Sequence, residues 1–217
     1  MPKRIAVLVS GNGSNLERLI ELSVSGFIDG EISLVISSNE KAFALERAKR
    51  HSIPSHVVHY GGRSGGDYSD AILQIVEDCR IDLIVLAGFL KILSGNIIER
   101  FRNRIINLHP SLIPSFCGKG MYGEKVHRAV IESGVRITGA TVHFVDGGTD
   151  TGPIILQESV PVFCDDSVES LSGRVAQVEH RLLPKAVSLF CENRLTVMGK
   201  RVLITGGFYE DSVVERL

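Results

Sequence analysis

The opening of this chain constrains its fold more than any other segment. A short apolar run, Ile5-Ala6-Val7-Leu8-Val9, breaks into Ser10-Gly11-Asn12-Gly13-Ser14-Asn15. Apolar residues then return at helical spacing as Leu16, Leu19, Ile20 and Val24. A continuous apolar run rich in β-branched residues reads as a strand buried on both faces. The predicted order is therefore strand, glycine loop, helix. The alternation continues with a strand over Ile32 to Ile36, a helix over Ala42 to Arg50, and a third strand at Val57-Val58. A helical stripe follows over Ala71 to Val76, then the clearest strand, Asp82 to Ala87. Ile105-Ile106, Thr138 to Val145 and Ile154 to Val162 read as further strands. Val168 to Phe190 reads as a long helix, and Thr196-Val197 with Val202-Leu203-Ile204 as a closing hairpin. Alternating strands and helices predict an α/β fold: a mostly parallel, doubly wound, Rossmann-like sheet with helices on both faces. With no internal repeat or low-complexity linker, a single domain is expected over residues 1–207, with a peripheral tail at 208–217.

Composition narrows the partners. With 24 Lys+Arg against 25 Asp+Glu, the formal net charge is -1. That balance gives no case for a nucleic-acid or membrane-surface binder, although a single anionic small molecule needs only local donors. Cys79, Cys117, Cys164 and Cys191 form no C-x-x-C pair and no disulfide framework. His51, His56 and His59 match no zinc spacing, so no metal is expected and the segment reads as solvated or half-buried. No charged-then-apolar leader follows Met1, and Ile5 to Val9 is too short for a signal peptide or a membrane span. A reducing, cytoplasmic setting is the expectation.

In a doubly wound sheet, ligands bind beyond the carboxyl ends of the strands. That rule points to the loop Ser10 to Asn15, to Gly88 through Leu93, and to the stretch after Ile106. Gly11 and Gly13 let backbone amides approach a ligand, and the helix start after them offers free N–H donors, with Ser14 and Asn15 adding side chains. Leu16 stands where a dinucleotide fingerprint has its third glycine, and no Lys-Ser/Thr pair follows as in a nucleotide triphosphate loop. A phosphate group fits these residues, and so does an ordinary capped turn.

Asn107 and His109 flank Leu108 at a strand end, just before Pro110. Residues two apart in a strand share a face, and Pro110 disfavours helix at His109. An amide donor and an imidazole facing one cleft suit a carbonyl under attack, the amide for the oxyanion and the ring for a proton. Asp150, in Gly148-Thr149-Asp150-Thr151-Gly152-Pro153, would orient His109 and favour its protonated form if the two meet. Spacing equally allows His109 to cap a turn and Asp150 to make an Asx turn. No G-x-S-x-G elbow competes, Cys117 has no sign of activation, and His143 inside an apolar strand reads as a satisfied core histidine.

Taken together, Ser10 to Asn15, Asn107 to Leu112 and Asp150 to Pro153 resemble the phosphoribosylglycinamide formyltransferases of purine synthesis. Leu86 to Leu93 and Gly139 to Asp146 match as well, in the right order across nearly the whole chain. The resemblance implies a formyltransferase-type fold in which residues up to about 100 form the phosphate and nucleotide part, and 101–207 the folate and catalytic part. It implies that 10-formyltetrahydrofolate, as cosubstrate, gives its formyl group to the amine of glycinamide ribonucleotide. Asn107, His109 and Asp150 would be catalytic. Gly13, Ser14 and Asn15 would hold the ribonucleotide phosphate, Gly11 and Asn12 would also bind that substrate, and Ala176, Gln177 and Glu179 would help seat it, with Glu179 near its amine. Leu90, Lys91, Ile92 and Leu93 would line the folate pocket together with Asn107, Asp146, Gly147, Gly148, Thr149 and Asp150. Gly65 stands where many relatives have a substrate-contacting Arg, with Arg63 two residues upstream as its substitute. The segment Phe116 to Gly123 is longer than in some members. The implied partners are small molecules, and the implied assembly is a monomer or weak homodimer.

The Asn/His/Asp set is shared with methionyl-tRNA formyltransferases and formyltetrahydrofolate deformylases. The opening loop favours the glycinamide ribonucleotide version, and the extra domains usual in the other two are not expected here. A phosphate-binding module without chemistry would leave Asn107 and His109 idle. A nicotinamide oxidoreductase is disfavoured by Leu16.

Overall fold

The computed structural model describes residues 2–206. The opening apolar run becomes strand β1 (Lys3–Val9), and the stripe after the glycine loop becomes α1 (Ser14–Val24). β2 (Gly30–Ser37), α2 (Phe43–Arg50), β3 (Ser55–Val57), α3 (Gly65–Asp78) and β4 (Leu83–Leu86) complete the alternating half. The second half runs α4 (Asn96–Arg100), β5 (Ile105–His109), α5 (Glu124–Glu132), β6 (Ile137–Phe144), β7 (Ile154–Pro161), α6 (Val168–Cys191), β8 (Leu195–Met198) and β9 (Arg201–Ile204). The expected tail at 208–217 lies outside the described residues.

The strands form one sheet in the order β3-β2-β1-β4-β5-β6-β7-β9-β8. From β3 to β5 every pairing is parallel, β6 runs antiparallel to both β5 and β7, and β7 meets β9 in parallel. β1, β4 and β5 are apolar along nearly their whole length because helices cover both faces. One core cluster joins the sheet to α1, α2, α5 and α6, the other to α3 and α4. The chain winds one way from β1 to β3 and the other way through β4 and β5. Their carboxyl ends therefore diverge into a crevice between β1 and β4. Ser10 ties the two lips together, its Oγ accepting the Leu90 N–H at 2.9 Å and meeting Ser38 Oγ at 2.7 Å.

α6 starts where its sequence demands. Ser167 caps it by accepting the Ser170 N–H, and Ser170 Oγ accepts the Ser167 N–H in return. Arg174 makes two hydrogen bonds to the Asp166 carboxylate just upstream, holding that carboxyl well below the usual range. The β8–β9 hairpin closes the sheet beyond β7, as the sequence predicted.

Candidate active site

A cavity of about 420 Å³ opens where the switch-point crevice meets the end of β5. Its walls come from residues 88–93 after β4, 107–110 at the end of β5, 118–124, and 148–150 after β6. Asn15 from α1, His127 from α5, His143 from β6, and Ser172 and Glu179 from α6 complete it.

The structure brings Asn107, His109 and Asp150 together in this cavity. Asn107 Nδ2 lies 3.4 Å from Asp150 Oδ1, and His109 Nδ1 lies 3.7 Å from Asp150 Oδ2. A fourth group joins them. Antiparallel register sets His143 opposite Asn107, and His143 Nε2 sits 3.1 Å from Asn107 Nδ2 and 3.8 Å from Asp150 Oδ1. His143 Nδ1 is 2.8 Å from the Phe144 carbonyl, which can only accept, so Nδ1 carries the proton and Nε2 accepts from the Asn107 amide. The reading of His143 as a satisfied core histidine thus holds. The ring is buried and bonded, but its partner is a residue of the cavity. The signal lay in strand pairing across 36 residues, which sequence periodicity does not reveal.

His109 shows the expected pull of Asp150 and a stronger one against it. Its Nε2 donates to the Phe116 carbonyl at 2.9 Å, leaving Nδ1 toward Asp150. Burial is the largest influence and pushes its pKa below the ordinary 6.5. The Phe116 carbonyl and Asp150 pull upward and His143 pulls downward. Asp150 thus draws the His109 pKa upward, and burial outweighs that pull. Asp150 itself stays below the usual carboxylate range: burial opposes this, but the Gly118 N–H and the neighbouring His109 outweigh it.

The Asp150 loop is built to hold this geometry. Asp150 adopts φ 56, a left-handed conformation that Asp tolerates better than most residues, and its Oδ2 accepts the Gly118 N–H at 2.9 Å. Asp146 does not line the cavity. It staples the loop instead, accepting from the Gly148 N–H, Thr151 Oγ1 and Lys200 Nζ. At Gly152 an added Cβ would fall 1.7 Å from the Phe144 carbonyl oxygen, so only glycine lets the loop return to β7. On the other side, Thr141 Oγ1 donates to the Ser111 carbonyl and accepts the Ile113 N–H, pinning the chain as it leaves His109.

The helix side carries a second polar pair. Asn15 Nδ2 donates to Glu179 Oε2 at 3.0 Å, while Asn15 Oδ1 is buried without a partner. Burial holds the Glu179 carboxyl above its ordinary value, against the Asn15 hydrogen bond. Gly13 begins α1 at φ 77, with no side-chain cap on the first amides of the helix. A Cβ there would lie 2.6 Å from Ala44 Cβ, which explains the glycine independently of any ligand. Arg47 braces the loop from α2 through the carbonyl and Oδ1 of Asn12.

The other candidates scatter. Leu90, Lys91, Ile92, Leu93, Gly148 and Thr149 line the cavity; Gly11, Asn12, Gly13, Ser14, Gly147, Ala176 and Gln177 do not. Arg63 is exposed in the turn before α3 and is also absent from the walls. Burial and Asp150 push the Cys117 thiol up, in line with an unactivated cysteine. His51 pairs with Glu17 at 2.6 Å on the surface. Among the described residues no group of three His, Cys, Asp or Glu is placed to hold a metal ion, and no helix is long and apolar enough to cross a membrane. The sequence reading missed Phe116, Gly118, His127 and Ser172. Phe116 and Gly118 act through backbone groups, which no side-chain pattern announces.

Burying so many rings makes stability pH-dependent. His109, His127 and His180 all have folded values below 6.5, chiefly through burial, so below that pH the unfolded chain binds more protons. Stability then falls as pH drops. The lowered Asp146 and Asp150 add stability that is present above 3.8 and lost as pH falls through their folded values. Glu179, raised, acts in the opposite sense but alone. A thermal melt at about pH 5 is expected below one at about pH 7.5; equal midpoints would contradict the buried neutral histidines.

Comparison with known proteins identifies the family. The Formyl transferase family model matches residues 3–187. The phosphoribosylglycinamide formyltransferase of Haemophilus influenzae is 38% identical over 205 residues, covering 94% of each chain. The trifunctional purine biosynthetic protein adenosine-3 of Gallus gallus is 42% identical over 197 residues, which is 89% of this chain but only 19% of that longer protein. The crystal structure of glycinamide ribonucleotide transformylase 1 from Symbiobacterium toebii superposes with a TM-score of 0.88 at 40% identity, covering 94% of each chain. The chain is thus an enzyme of the formyl transferase family. Within that family it belongs with the phosphoribosylglycinamide formyltransferases.

Proposed function

We propose that this enzyme transfers the formyl group of 10-formyltetrahydrofolate to the amine of glycinamide ribonucleotide in purine synthesis, acting in the cytoplasm. The observation that carries the reading is the four-residue cluster of Asn107, His109, His143 and Asp150, set between two unlike halves of one cavity. One half, with Leu90, Ile92, Leu93 and Val145 as apolar walls and the backbone of 88–93 and 148–150 between them, suits a flat heterocycle that is read through amides and carbonyls. The other half holds Asn15 and Glu179, and the uncapped start of α1 beside it offers N–H donors to a phosphate.

In this reading the glycinamide amine attacks the formyl carbon, a C–N bond forms, and the carbonyl becomes an oxyanion. Asn107 donates to that oxygen. One amide hydrogen is committed to His143, and the other, held by Asp150 only at 3.4 Å, is the one free to exchange. His109 takes the proton released by the amine on Nδ1, where the resulting imidazolium faces the Asp150 carboxylate. The intermediate collapses as the bond to the folate nitrogen breaks, and that nitrogen receives the proton from His109. Glu179 orients the attacking amine. Glu179→Gln is expected to raise the KM for the ribonucleotide about 10- to 100-fold, the worth of one charge-assisted hydrogen bond, and to leave the KM for the folate unchanged. An equal rise in both would place Glu179 outside the amine site.

A further inference from the structure

His127 has no role in the reaction as described, yet it is built into the same cavity. It sits on the first turn of α5, is 5% exposed, and shares the wall with His109. Its ring nitrogens are unequal. Nδ1 is sealed away from solvent with no hydrogen-bond partner among the described residues. Nε2 makes no hydrogen bond among the described residues either but is not sealed, so it is the open polar atom of a ring that lines the cavity.

This asymmetry selects a tautomer. A buried N–H with no acceptor loses its water and gains nothing, and orphaned buried donors are rarer in proteins than under-used acceptors. The proton therefore sits on Nε2, and the sealed Nδ1 carries the lone pair. Burial is also the largest influence pushing this ring below its ordinary pKa; Glu124 opposes it and His109 adds to it, so the ring is neutral at neutral pH. The result is one fixed N–H donor on a ring that lines the cavity, with no acceptor offered by the described residues.

The packing of α5 relates the donor to the helix side of the cavity. α5 packs through Val126 and Val130 into the core cluster shared with α1 and α6, the helices that supply Asn15 and Glu179. The folate half is lined instead by the loops after β4 and β6.

Resting on the function proposed above, we infer that His127 is a further substrate-contacting residue, its Nε2–H donating to a hydroxyl or amide oxygen of the ribonucleotide acceptor. The test compares wild type with His127→Phe, which keeps the ring volume, and His127→Gln, which keeps a side-chain N–H. Steady-state KM for each substrate and thermal melting are measured. His127→Phe is expected to raise the KM for the ribonucleotide about 3- to 10-fold, the worth of one neutral hydrogen bond. The KM for 10-formyltetrahydrofolate should hold, and the melting temperature should be equal or higher because a sealed, unpaired nitrogen has gone. His127→Gln should recover part of the loss. An unchanged ribonucleotide KM in His127→Phe, a rise shared by both substrates, or a loss that tracks a lower melting temperature would each overturn the assignment. Wild type inactive with both substrates would instead refute the underlying function, and the assignment with it.

Discussion

Asn107→Ala and His109→Ala are each expected to lower turnover by about 100- to 1000-fold, the usual cost of removing one donor at a developing oxyanion. The two losses have different origins and leave different traces. Without Asn107 the oxyanion loses its donor, and His143 Nε2, now buried beside no amide, loses its partner as well. Without His109 the proton from the attacking amine has no nearby base, and the Phe116 carbonyl loses its hydrogen bond. Both side chains lie in a cluster where Asp150 touches each, so their effects should combine to much less than the product of the single losses. Single-turnover measurements on the two variants and the double variant check this. Turnover near wild type in either single variant would remove it from the chemistry.

Asp150→Asn is the second large effect, and its signature is a shift in pH dependence. The Asp150 charge is one of the influences raising the His109 pKa against burial. Removing it lets burial act with less opposition, so the acid limb of the pH–rate profile, already expected below 6.5, moves to lower pH. Turnover falls at the same time, because the imidazolium formed during transfer loses its counter-ion. The exchange of carboxylate for amide keeps the volume and can keep an oxygen toward the Gly118 N–H, so the loop should remain folded. A normal rate with an unmoved acid limb would break the proposed link between Asp150 and His109.

The parallel half of the fold was legible because buried parallel strands write themselves as apolar runs. Ile5 to Val9 and Asp82 to Ala87 needed nothing more, and the observed strands agree to within two residues. α4 and α5 were not foreseen, since five and nine residues around a long irregular segment give too little periodicity. The candidate trio Asn107, His109 and Asp150 was visible by type and spacing, but the tertiary sign of its electrostatics was not. A carboxylate near a histidine suggests a charged ring, and only the depth of burial shows that desolvation wins at His109. His143 is the satisfied core histidine the sequence suggested, but its partner, Asn107, is a neighbour across the sheet rather than along the chain and was not visible there. The glycine loop stayed ambiguous in sequence, and Gly13 proves to have a packing reason against Ala44 whatever it binds.

The most direct test of the central claim is a spectrophotometric assay that follows loss of the formyl group from 10-formyltetrahydrofolate, with and without glycinamide ribonucleotide. The account predicts signal that depends on the ribonucleotide and disappears in His109→Ala. Equal signal without the ribonucleotide would show hydrolysis rather than transfer and contradict the proposed acceptor, and no signal under either condition would contradict the reaction itself.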